Sequence, residues 1–184
     1  MTSATSAASG QPSPTPYVIG VDTDATSLRD ADHLLRELNT GLGLPEDVFG
    51  CTHLVAGGGR RRVALSLAAR SRVVIDVARD RLRAQGRTVT DGAWDAEGRA
   101  VLYPGAAALT GTLTVAELLE RSAIERVRVL GAADPPDPAT RLVTREFVRP
   151  HWQDGTLVLA AMPHIGGTLV PFEDPDPTPC CAGH

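Results

Sequence analysis

Two apolar periods alternate along this chain, and they set out its elements. Tyr17-Val18-Ile19-Gly20-Val21-Asp22 is a short apolar run that ends in acid, the pattern of a buried strand. Leu28, Ala31, Leu34, Leu35 and Leu38 then repeat at helical spacing behind the candidate caps Thr26 and Ser27, and Gly41-Leu42-Gly43 marks the stop. Cys51–Ala56 reads as a second strand. From Val63 to Gln85 the apolar positions 63, 67, 74, 78 and 82 suit a helix ended by Gly86, although Val63–Leu67 alone also fits a strand. Arg99–Tyr103 should form a hairpin with Trp94 across Asp95-Ala96-Glu97-Gly98.

Further on, Thr114 and Glu117 have the spacing of a capping box ahead of a short helix over Val115–Ser122. Glu125–Leu130 reads as a strand. Thr156–Ala161 and Thr168–Phe172 read as a closing hairpin across residues 163–167. The expected fold class is therefore α/β: a small mixed sheet with flanking helices and a C-terminal antiparallel hairpin. Residues 1–16, rich in Ser, Thr, Ala and Pro, form an expected disordered leader. Residues 17–173 make a single domain, and 174–184 an extended tail stiffened by Pro175, Pro177 and Pro179.

Composition narrows the chemistry. All 18 basic residues are arginine, so lysine Schiff-base catalysis and a standard P-loop are excluded. A net charge of -4 argues against bulk nucleic-acid binding, and no apolar run is long enough to span a membrane. The first residues carry no basic, apolar export signal, and three cysteines cannot all pair, so a reducing cytoplasm is the expected setting. Oligomeric state is left open.

Each cysteine lies near a histidine. Cys51 and His53, at i and i+2 of a strand, should face one way, and Cys181 and His184 have a spacing common among zinc ligands. Together they are candidate zinc ligands. Against this, buried cysteine is also a common small hydrophobe, and a Cys180–Cys181 disulfide is a further alternative.

A second constellation follows the first strand. Asp22-Thr23-Asp24-Ala25-Thr26-Ser27-Leu28 resembles the Asp-x-Asp-x-Thr motif of haloacid-dehalogenase-like phosphatases. The resemblance implies that Asp22 is a nucleophile, that Asp24 is a general acid and base, and that magnesium is the cofactor. Asp134 and Asp137 would supply the late acidic motif. Ala25 stands where the family usually has glycine, and Arg60 or a neighbour would have to replace the family's lysine. The competing reading is an acidic turn that complements a helix dipole.

The third constellation is Gly57, Gly58, Gly59, Arg60, Arg61 and Arg62, read as a strand-to-helix turn that could bind an anion. Arg79, Arg81, Arg83 and Arg87 extend the basic surface, and nine of the 18 arginines lie between positions 60 and 87. The functional expectation is a cytosolic accessory or regulatory protein with a zinc-binding tail and a basic helix for a protein partner or a small anionic ligand. The alternative is a small magnesium-dependent phosphohydrolase.

Overall fold

A computed structural model describes residues 16–57, 60–92 and 98–175. The first half runs β1 (Tyr17–Val21), α1 (Leu28–Leu42), β2 (Phe49–Gly57), β3 (Arg60–Ala69), α2 (Arg72–Ala84) and β4 (Val89–Asp91). These strands lie in the order β4-β1-β3-β2, each antiparallel to its neighbour. This is the split β-α-β arrangement called ferredoxin-like. The second half runs β5 (Arg99–Leu102), β6 (Thr112–Thr114), α3 (Val115–Arg121), β7 (Arg126–Val129), β8 (Arg141–Val143), β9 (His151–Gln153), β10 (Thr156–His164) and β11 (Thr168–Pro171). It extends the same sheet as β2-β5-β9-β10-β11-β8-β6, and β7 lies parallel to β10. The mixed sheet, its flanking helices and the closing β10–β11 hairpin match the expected class.

Residues 63–69 correct the helical reading. Val63, Leu65, Leu67 and Ala69 alternate toward α1 and α2, while Ala64 and Ser66 are buried on the opposite face. A central strand covered on both sides becomes continuously apolar, which disguises its period of two. The helix begins only at Arg72 and buries Ile75, Ala78 and Leu82. Two other helices follow their sequence signals closely. Ser27 caps α1 through Asp30 N, Gly43 closes it at φ 58°, and Thr114 and Glu117 form the complete capping box of α3.

Two apolar clusters fill the fold. One lies between the first-half strands and α1 and α2, and includes Ile19, Leu35, Leu65 and Leu82. The other joins α3 to the second-half strands through Leu118, Leu142, Leu157 and Leu159. β5 serves both, sending Ala100 to the second cluster and Val101 to the first. Most of the expected leader and tail, and the Trp94 arm of the expected hairpin, lie outside the described residues. Arg99–Leu102 is a strand, paired with β2 and β9. No helix among the described residues is long and apolar enough to cross a membrane.

Candidate functional site

The end of β1 meets the start of β3. Arg62 Nη1 contacts both Asp22 carboxylate oxygens at 3.0 and 3.1 Å. Thr23 donates its hydroxyl to Val63 O at 2.5 Å and accepts from Ala25 N at 3.1 Å, which folds the acidic turn onto β3. This arrangement corrects two expectations. Gly57 ends β2 and Arg60 begins its antiparallel partner β3, so a strand and not the expected helix follows the glycines. Gly58, Gly59 and the side chains of Arg60 and Arg61 lie outside what the structure describes. The expected convergence of Asp22, Asp24 and Asp134 also fails, because Asp134 follows β7. That strand adjoins β10, with β3, β2, β5 and β9 intervening along the sheet from β1. Ser27, rather than Asp22 or Asp24, caps α1.

Cys51 and His53 do share one face of β2, as their spacing predicts. His53 Nε2 lies 2.8 Å from Ser66 Oγ on β3. Gly98 closes over the pair: a Cβ there would come within 2.8 Å of the His53 ring and 2.9 Å of Cys51 Cβ. Burial pushes the Cys51 thiol up to about 12, against hydrogen bonds with Trp152 and Ser66 that lower it. With no metal bound, Cys51 is therefore a packed, neutral thiol at neutral pH, and a metal would have to displace its proton on binding. Cys181 and His184 lie outside the described residues. Among the described residues, no group of three His, Cys, Asp or Glu side chains is arranged to hold a metal ion.

The most buried charges are a cluster that sequence reasoning missed. Asp32 of α1 accepts from Arg99 of β5 and, at 2.9 Å, from Arg149 Nε. Arg99 Nε reaches Glu173 at 2.6 Å, and His151 Nε2 lies 3.0 Å from the other Glu173 oxygen. Phe147 lies under Arg149, 4.2 Å from guanidinium carbon to ring centre. Burial lowers the Arg149 guanidinium, with the positive charges of Arg36 and Arg99 adding to the effect and Asp32 opposing it. Burial also opposes the charge on Arg99, but Asp32 and Glu173 leave it raised. Arg149 Nη2 is buried with no hydrogen-bond partner among the described residues. The available signal was Asp32 itself, which sits within the apolar stripe of Ala31 and Leu35. A carboxylate there must find cationic partners when the helix docks.

A surface hollow of about 380 Å³ opens between α2, β1 and the edge strand β4, lined by Tyr17, Arg72, Asp76, Arg79, Arg83 and Asp91 among others. Positions 72, 76, 79 and 83 fall on one flank of the helix at i, i+4, i+7 and i+11. Arg79 is held at 2.5 Å by Asp76 and at 2.9 Å by Asp91, and the Asp76 bond is the main cause of its raised pKa. Arg72 Nε is 3.5 Å from Asp76, and Arg83 makes no ion pair among the described residues. Of the arginines expected to extend the basic surface, Arg79 and Arg83 line this concave flank, whereas Arg81 and Arg87 do not and Arg81 donates to Leu42 O at 2.7 Å. Within the glycine-arginine segment that prompted the anion reading, Arg62 pairs with Asp22. Comparison with known proteins finds no matching family model, no similar curated protein and no similar solved structure.

Proposed function

We propose that this chain is a non-catalytic accessory or regulatory protein that docks an anionic ligand or partner on the basic flank of α2. One observation carries this reading: Arg72, Arg79 and Arg83 line a single hollow of about 380 Å³, a size that suits a small ligand or part of a peptide. Among the described lining residues only Asp76 and Asp91 oppose them, so the described lining keeps an excess positive charge. A rigid helix presents the row, and arginine forks suit carboxylate or phosphate oxygens.

The phosphohydrolase alternative is weaker, because Arg62 occupies Asp22 and Asp134 sits on the other half of the sheet. A zinc-bound tail remains compatible with the docking reading.

Titration of a fluorescent polyglutamate into the protein tests the docking reading. Binding should weaken with added salt, and replacing Arg72 and Arg83 by glutamate should abolish it. Equal binding by that double variant, with its fold intact by circular dichroism, would remove the flank from the reading.

A further inference from the structure

The same hollow borders an open sheet edge. β4 pairs only with β1, and no described strand lies beyond it. Asp22 N bonds Thr88 O at 3.1 Å, and Gly92 N bonds Val18 O at 3.0 Å. Bonding residues alternate in an antiparallel ladder, so Val89 and Asp91 turn their backbone groups away from β1. A long contact of 3.4 Å from Arg83 Nη2 to Val89 O shows that carbonyl facing outward.

Val89 and Asp91 pair with Val21 and Ile19, whose side chains are buried in the cluster beneath α1 and α2. The Asp91 side chain accordingly meets Arg79 of α2. A strand added beside β4 would therefore place every second side chain on the α2 side, over the arginine row. The spacings agree. Arg79 and Arg83 are separated by about 6 Å along the helix axis, and alternate residues of an extended strand by about 7 Å.

The charge is segregated to match. Residues 70–91 hold six arginines and three aspartates in a chain whose net charge is -4. We propose that the β4 edge and the arginine row of α2 together receive an extended acidic segment of a partner protein. The segment adds as a strand beside β4 and lays alternate carboxylates over Arg72, Arg79 and Arg83. This inference rests on the docking reading of α2 and adds backbone pairing to it.

The probe is a short labelled peptide that alternates glutamate with valine or threonine. Its twin is N-methylated at alternate backbone positions, which keeps the charge and removes strand pairing. A lysine version controls for sign. Full-length protein should bind the acidic peptide, bind the twin and the lysine version at least about tenfold more weakly, and lose about tenfold on Arg83→Glu. Equal affinity for the peptide and its twin would overturn strand addition while leaving anion docking in place. If neither the peptide nor polyglutamate binds, both readings fall.

Discussion

Asp32 is the only buried acid among the described residues. It is the common acceptor for Arg99 and Arg149, and all three are almost completely buried. Removing one member of a buried ion cluster leaves an uncompensated charge, at a cost of about 3–5 kcal/mol. Asp32→Ala should therefore lower stability by that order in denaturant unfolding. Asp32→Asn should cost less, because an amide oxygen can still accept from one arginine.

Glu173 gives this cluster a pH dependence. Burial alone would raise its pKa, but the His151 hydrogen bond and the Arg99 charge hold it below the ordinary 4.5. A depressed carboxylate pKa contributes stability that is fully present above the unfolded value and is lost as pH falls through the folded value. Wild type should thus be more stable than Glu173→Gln at neutral pH, and the gap should close only below about pH 4.5. Thermal melts of both proteins from pH 7 to pH 3 measure this directly. Cys51 makes a third residue-scale prediction. As a buried thiol at about 12, it should resist iodoacetamide at pH 8 in the folded protein and react once unfolded, as read by peptide mass spectrometry. Rapid labelling of the native protein would contradict its packed state.

Local signals were legible at the level of single elements where the chemistry is local. The caps each concern residues within one turn of a helix end, so spacing alone identified the Thr114–Glu117 box and narrowed the α1 cap to Thr26 or Ser27 and its stop to residues 41–43. The β10–β11 hairpin was legible as two apolar runs flanking a glycine turn, but Pro163 and His164, expected in the turn, instead pair with Leu169 and Thr168. β3 was misread because what surrounds it comes from elsewhere in the chain: β1 and β2 flank it in the sheet, α1 and α2 pack on one face, and Ala64 and Ser66 are buried on the other. The Asp32 cluster was hidden for the same reason: its partners lie 67 and 117 residues away. Gly105 is a further long-range constraint. It adopts φ +80°, and a Cβ there would lie 2.0 Å from Arg121 O at the end of α3. Gly105→Ala should shift α3 against the second cluster and destabilise the protein by more than the roughly 1 kcal/mol of an ordinary glycine replacement. Equilibrium unfolding would read this, and a neutral Gly105→Ala would show that the α3 end has room to move.

Across the whole molecule, one continuous sheet joins a ferredoxin-like half to a second half, and the chemistry divides between them. The buried charge cluster ties α1 of the first half to β5, Arg149 and Glu173 of the second. Arg145 holds Asp174 at 2.6 Å and Arg29 reaches Pro175 O at 2.8 Å, so the chain leaving the fold is fixed to both halves. The proposed docking flank lies at the opposite end of the sheet order from β6, on the edge formed by β4 and α2. That placement leaves the flank open to a partner without disturbing the clamp. Amide chemical-shift mapping during a polyglutamate titration tests the proposed docking most directly. The account predicts salt-sensitive shifts concentrated at Tyr17, Val18, residues 72–84 and residues 89–91. Shifts centred on Asp22 and Arg62, or spread evenly over the surface, would contradict it.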